Sequence, residues 1–315
     1  MFQRLLHPYF RPLAYKAFVL VPLFFLLSVS GYSQAKLPVL IDADTGNEVD
    51  DAYALVPALL APSWEVTALC AAQWQASQWA IPQTMENSHR LNQVLLAHLG
   101  LDIPTKRGGA ARMYDWGDMA RHSAAAYEII RQAKAMPTNQ KLTVIVLGAL
   151  TNVASAYYID PSIADRIKIY WLGSTYNQEK KLIRTRDFNC LMDIQALHVI
   201  FDSPIELHVM PLDQAGKMVF SFSKMEAVLG RKLGLSRFLL ERWEGHLDGG
   251  RKERTLWDIA IIQAVLFPDW VKEEAVEYAT PDGPRSIYYY YHIEAEKMKE
   301  AFYDTMQTYL ASIRD

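Results

Sequence analysis

The chain has 315 residues, 51% of them hydrophobic, 12% aromatic and 21% charged, with 15 glycines and 15 prolines. That apolar content excludes intrinsic disorder, and the Gly and Pro counts exclude collagen-like and low-complexity classes. Lys plus Arg is 32 and Asp plus Glu is 35, a net charge of −3, which lacks the bulk positive field of a non-specific nucleic-acid binder. Two cysteines, Cys70 and Cys190, are too few for a disulfide-rich scaffold or a four-cysteine zinc site.

Residues 1–16 carry Arg4, Arg11 and Lys16 and no acid; residues 17–27 (AFVLVPLFFLL) are then unbroken apolar, and Ser33 and Ala35 offer a small-residue exit. This order predicts a secretory signal peptide over residues 1–35. The apolar core is short for a bilayer span and contains Pro22, which favours cleavage over anchoring. Removing that segment takes three basic charges and no acid, so the net charge moves from −3 to −6. The expected location is secreted or periplasmic, with no membrane span after cleavage, and a Cys70–Cys190 disulfide is permitted there.

Residues 37–41 (LPVLI) read as a buried strand, 50–60 as a helix and 64–71 (WEVTALCA) as a second strand. Residues 86–99 form an amphipathic helix pattern with Leu91, Val94, Leu95 and Leu99 on one face. Strands follow at 142–147 (LTVIVL), 167–172 (IKIYWL) and 205–210 (IELHVM), and helices at 194–201, 224–239, 256–266 and 293–313. The four tyrosines 288–291 read as a late strand with half-buried rings. This alternation predicts an α/β fold, an open, mainly parallel sheet with helices on both faces, as one domain over residues 36–315. In such sheets ligands bind beyond the carboxyl ends of the strands. Polar clusters fall there: residues 42–51 after the first strand, Gln73 and Trp74 after the second, then 148–152 and 173–177.

The segment from Asp42 to Asp51 holds five carboxylates in ten residues: Asp42, Asp44, Glu48, Asp50 and Asp51. Two like charges about 4 Å apart repel by roughly 1 kcal/mol even in bulk water. A hard divalent cation with oxygen ligands is the natural compensation, since no Cys or His lies nearby to favour a soft metal. Gly46 permits the tight turn of a chelating loop. Three other readings compete. Asp50 and Asp51 at a helix start suit the helix dipole, which accounts for neither Asp42 nor Asp44. An EF-hand fails on spacing, with glycine at loop position five and Tyr53 at twelve. An apolar strand ending Asp-x-Asp also resembles the haloacid-dehalogenase-type phosphatases, with Asp42 as nucleophile and Asp44 as acid/base, and leaves Asp50 and Asp51 idle.

The sequence also resembles the inosine–uridine-preferring nucleoside hydrolase family, whose signature is Asp-x-Asp-x-Gly-x-Asp-Asp. Here it reads Asp42-Ala-Asp44-Thr-Gly46-Asn-Glu-Val-Asp50-Asp51, with two extra residues before the Asp pair. Gly148-Ala-Leu-Thr151-Asn152-Val-Ala is close to the family's Gly-Pro-Leu-Thr-Asn-x-Ala. Asp187-Phe188-Asn189 looks like its Glu-Phe-Asn, and Trp257-Asp258 stands where it commonly has His-Asp. The resemblance implies a nucleoside hydrolase-like fold and one Ca²⁺ in the cleft. Its ligands would be Asp44, Asp51, Asp258 and the Thr151 carbonyl. Asp44 would take a proton from the attacking water, Asp50, Asp187 and Asn189 would hold sugar hydroxyls, and Asp42 would be a supporting acid. The implied substrate is a small-molecule nucleoside, and the family tends to form homo-oligomers.

Three departures fall in the nucleobase half. Trp257 can stack on a base, which suits a purine, and cannot usefully protonate one. Gln73 is the stand-in for an asparagine expected after the second strand. Asp187 is one methylene shorter than glutamate. Trp74, Trp79 and Trp116 are further candidates for a base pocket, although aromatics more often serve the core. The leading expectation is Ca²⁺-dependent hydrolysis of the N-glycosidic bond of a purine ribonucleoside or related N-riboside. A calcium-bound nucleoside- or ribose-binding protein and a phosphatase are the alternatives.

Overall fold

The computed structural model of the protein describes residues 35–114, 117–231 and 234–313. The expected signal peptide and Trp116 lie outside the described residues. In chain order the strands are β1 Leu37–Ala43, β2 Trp64–Ala71, β3 Thr105–Arg107, β4 Leu142–Val146 and β5 Ile167–Leu172. Then come β6 Thr175–Asn177, β7 Leu182–Arg184, β8 Glu206–Met210, β9 Val219–Ser221, β10 Glu253–Thr255, β11 Val271–Thr280 and β12 Gly283–Ile293. Eight of them make one sheet in the order β11-β12-β8-β5-β4-β1-β2-β3. All its pairings are parallel except the β11–β12 hairpin, so the expected open, mainly parallel α/β fold is present.

Side chains alternate across this sheet, as the strand period requires. Val39, Ile41 and Ile145 join one core with the helices Asp50–Leu60 and Asp258–Leu266. Leu40, Val144, Val146 and Ile169 join a second core with Ala124–Ala135, Thr151–Ile159 and Ile194–Asp202. Asp50–Leu60 is buried at every position but its last, as expected of a helix that is apolar on all sides. It packs against Asp258–Leu266. From β1 the chain builds outward through β2 to β3, and from β4 outward through β5 to β8. The boundary between β1 and β4 is therefore the topological switch point, where an open α/β sheet leaves a crevice.

Several elements depart from the sequence expectation. The single helix over 224–239 is two helices, Phe222–Leu229 and Leu235–Glu244. Gly230 and Gly234 separate them at φ +67° and +81°, a left-handed backbone that glycine adopts without cost from a side chain. The last helix starts at Ala295 because Ile293 belongs to β12. There Tyr289 and Tyr290 are buried, while Tyr288 and Tyr291 are half-buried. Cys70 and Cys190 are both free and buried.

Candidate active site

The acidic residues meet beyond the carboxyl end of β1. Asp44 follows that strand directly, Asp50 and Asp51 open the helix Asp50–Leu60, and Asp258 opens the helix Asp258–Leu266. One carboxylate oxygen from each of Asp50, Asp51 and Asp258 lies within 4.8 Å of the others. With Asp44 and Glu48 they line a cavity of about 170 Å³, closed by Leu147, Leu172, Leu212, Phe188 and Trp257. Two helix N-termini thus face the same acids, each lending partial positive charge. The backbone N–H groups of Asp258 and Trp257 lower the Asp50 pKa against the larger rise caused by burial.

These groups are almost dry: Asp44 is 3% exposed, Asp51 2% and Asp258 3%. Burial, reinforced by Glu48 and Asp42, pushes the Asp44 carboxyl up to about 7. Burial and Asp44 push Asp50 up to about 6. Asp51 and Asp258 rise well above the ordinary carboxylate range, from burial first and then from their acidic neighbours. Asp44 Oδ2, Asp51 Oδ1 and Asp258 Oδ1 have no hydrogen-bond partner. A buried acceptor left unpaired is costly, and three anionic oxygens from distant parts of the chain share that condition here. A hard divalent cation, which takes oxygen ligands only, fits this donor set.

The loop that presents Asp44 is held on several sides. Thr45 Oγ1 donates to Asn92 Oδ1 at 2.6 Å, and the Gly46 N–H donates to Ser88 Oγ at 3.3 Å. Arg242 Nη2 donates to the carbonyls of Thr45 and Glu48 at 2.9 and 2.6 Å. A Cβ on Gly46 would sit 2.1 Å from Asn87 Oδ1 and 3.1 Å from the Ser88 backbone nitrogen, so the Asn87 side chain would have to move. A Cβ on Gly148, in the turn after β4, would come within 2.6 Å of Asp44 Oδ1.

A family model described as inosine-uridine preferring nucleoside hydrolase matches residues 39–297. The chain belongs to this family. It is 28% identical over 101 residues to the inosine-uridine preferring nucleoside hydrolase of Crithidia fasciculata, covering 32% of each chain. It is 23% identical over 206 residues to the non-specific ribonucleoside hydrolase RihC of Klebsiella pneumoniae, covering 59% of this chain and 64% of that one. The matches therefore span less than two thirds of these curated relatives. Among solved structures, the purine-preferring ribonucleoside hydrolase from Gardnerella vaginalis superposes with a TM-score of 0.65 at 18% identity, covering 86% of this chain and 98% of that one. That likeness confirms the nucleoside hydrolase fold.

In this nucleoside hydrolase-family chain, Asp44, Asp50, Asp51, Asp187, Asn189, Trp257 and Asp258 all line the one cavity. Family membership, together with the meeting of Asp50 and Asp51 with Asp258, removes the phosphatase reading. Asp187 caps the helix Phe188–Met192: its Oδ2 accepts the Ser174 N–H at 2.7 Å and its Oδ1 the Cys190 N–H at 3.3 Å. Asn189 Nδ2 donates to the carbonyls of Leu147 and Leu172 at 2.7 and 2.9 Å, tying the ends of β4 and β5 and leaving Oδ1 for a ligand. Trp257 also packs over Gly216, where a Cβ would lie 3.2 Å from its Cζ3.

Three expected residues sit elsewhere. Asp42 is fully buried and accepts Asn152 Nδ2 at 2.9 Å. The Thr151 side chain donates to Asp193 Oδ2 at 2.7 Å and accepts Gln73 Nε2 at 3.2 Å; Thr151 is not among the cavity-lining residues. Gln73 also donates to the Met192 carbonyl and borders a separate hollow with Arg112, Tyr114 and Arg121, so its amide is already committed. Sequence reasoning gave no role to Phe188, Asn47 or Arg242. Trp79 stacks on Phe188 with ring centroids 5.5 Å apart and planes 16° apart, and its Nε1 donates to Asn47 Oδ1 at 3.0 Å. Trp74 is buried. Adjacency of Phe188 to Asp187 was the available signal for that ring; nothing in the sequence pairs Arg242 with residues 45–48.

Proposed function

We propose that the protein hydrolyses the N-glycosidic bond of a ribonucleoside, with a preference for purines, using Ca²⁺. The observation that carries this reading is the meeting of buried carboxylates with unpartnered oxygens, Asp44, Asp51 and Asp258, in one cavity. These three would hold the cation, with an Asp50 oxygen within 4.8 Å of those of Asp51 and Asp258. When bound, the cation supplies Lewis-acid activation of water and a grip on the vicinal sugar hydroxyls. Asp44 takes the proton from the attacking water. Asp50, in the same cavity, accepts a sugar hydroxyl, as does Asn189 Oδ1. The ring of carboxylates stabilises the positive charge that develops on the sugar as the base departs. Trp257, Trp79 and Phe188 offer apolar faces for a flat base, which supports the purine preference.

The test is incubation with inosine, adenosine, guanosine and uridine in calcium buffer, with release of reducing sugar as the readout. Release from the purine nucleosides is expected; none from any of the four overturns the reading. Two observations favour a second reading, a calcium-bound ribose- or nucleoside-binding protein: both oxygens of Asp187 are already engaged, and Trp257 is no proton donor for a leaving base. Calorimetry showing calcium-dependent ribose binding without turnover would select it. The basic-then-apolar start of the chain supports export with removal of residues 1–35, and amino-terminal sequencing of the mature protein tests that.

A further inference from the structure

The chain turns sharply where β5 ends, at Gly173 and Ser174. A Cβ on Gly173 would lie 2.1 Å from Trp171 Cζ2, so the backbone there passes directly over that ring. Ser174 follows at φ +58°, a left-handed conformation that residues with a side chain disfavour. Gln83 and Lys181 share it among the described residues, but both are exposed, whereas Ser174 is fully buried. A strained residue persists only where its surroundings hold it.

Ser174 is held by three contacts to three different elements. Its N–H donates to Asp187 Oδ2 at 2.7 Å. Its carbonyl accepts the Leu212 N–H at 3.0 Å. Its Oγ shares a hydrogen bond with the Tyr289 hydroxyl at 3.1 Å. Asp187 and Leu212 both line the acidic cavity, whereas Tyr289 belongs to β12 and pairs in register with Val209 of β8. Tyr289 is fully buried, and its ring lies 4.8 Å from that of Tyr176 with planes 32° apart. Burial holds its hydroxyl above the usual range, so it stays a neutral phenol. Among the described residues, Ser174 Oγ is the only hydrogen-bond partner of that hydroxyl. Glycine would adopt the same φ without steric cost; what serine adds is the oxygen that meets Tyr289. A carboxylate has about four acceptor sites, so the N–H groups of Ser174 and Cys190 aim Asp187 and leave sites for a sugar hydroxyl.

We propose that Ser174 and Tyr289 are positioning residues of the active site: Tyr289 anchors Ser174 to the sheet, and Ser174 thereby aims Asp187 into the cavity and sets how tightly the sugar is bound. This rests on the hydrolase reading above and takes Asp187 as one of the groups that hold the sugar, as its place in the cavity wall allows.

The test uses the full chain in calcium buffer with inosine as substrate, and two variants that remove the same hydrogen bond from opposite ends. Tyr289→Phe deletes one oxygen and keeps the ring. Ser174→Gly keeps the N–H, the carbonyl and the left-handed backbone. Each should raise KM about fivefold and change kcat less than about twofold. Tyr289→Phe should melt below the parent, because it leaves the Ser174 hydroxyl buried and unpaired. Ser174→Gly should melt above Tyr289→Phe, because glycine relieves the backbone. Equal shifts in KM from variants of unequal stability separate positioning from a general loss of fold. In an Asp187→Ala background, adding Tyr289→Phe should move KM less than about twofold. A KM indifferent to both variants, or a Tyr289→Phe effect undiminished without the Asp187 carboxylate, overturns the proposal and leaves the hydrolase reading standing. Should the parent cleave no inosine, the hydrolase reading fails, and calorimetry with ribose decides. Affinity weakened about fivefold by both variants, and no further in the Asp187→Ala background, upholds the positioning role; unchanged affinity, or no binding by the parent, overturns it.

Discussion

Arg242 Nη2 donates to the carbonyl oxygen of Glu48 at 2.6 Å, and the two residues are separated by most of the chain. The same nitrogen holds Thr45, so one guanidinium fastens both ends of the turn between Asp44 and Asp50. Its charge also offsets those of Asp51 and Asp50.

Arg242→Met is expected to lower stability by about 3 kcal/mol, because two hydrogen bonds from a charged donor are lost and their carbonyl acceptors are left behind. The loss should be larger in chelator than in Ca²⁺, since the acids then have neither partner. Thermal unfolding under both conditions checks this, and equal losses would show that the guanidinium does not share the cation's task.

Without a cation, the acidic cavity should make stability fall as pH rises. Burial raises Asp42 and Asp44 to about 7 and Asp50 to about 6 in the folded chain, against about 4 unfolded. The folded state therefore binds more protons over that interval. Its advantage is complete below about pH 4 and is lost as pH climbs through 6 to 7. Saturating Ca²⁺ should flatten or reverse the slope, because ionised carboxylates are what it binds. Melting temperatures at pH 5 and 7.5, in chelator and in calcium, measure both slopes.

Asp44→Asn and Asp258→Asn should each cut nucleoside hydrolysis by about 10²- to 10⁴-fold. In chelator, both variants should melt higher than the parent, because each removes a charge from a repelling group. Lower stability together with lower activity would instead point to a structural role.

Gly148→Ala should damage activity more than fold. Its Cβ would lie 2.6 Å from Asp44 Oδ1 and 2.7 Å from Asp44 Cγ, and the carboxylate is the part free to yield. A destabilisation of about 1–3 kcal/mol is expected from overpacking, with weaker calcium binding by calorimetry. Unaltered calcium affinity would show that Asp44 does not need its present position.

The strands buried on both faces, β1, β2, β4, β5 and β8, were legible because they are continuous apolar runs. β3 was not, as Thr105–Arg107 is three polar residues at an edge. Nor was β11, where Lys272, Glu273 and Glu274 mask a partly exposed strand. The carboxylates of the cavity were legible because acids crowded into one loop demand compensation, and because Asp258 opens an apolar helix. Gln73 misled because residue type says nothing of which amide a side chain already serves. Arg242 was invisible for a related reason: it acts on backbone carbonyls, which every residue possesses.

The acids that crowd the cavity come from opposite ends of the fold, Asp44, Asp50 and Asp51 from its first strand–helix step and Asp258 from its last long apolar helix. During synthesis the early trio emerges from the ribosome long before its partner exists. A nascent chain can gather ions only loosely until nearly all of it is made, so a cation bound among these acids would also lock the first and last parts of the polypeptide together.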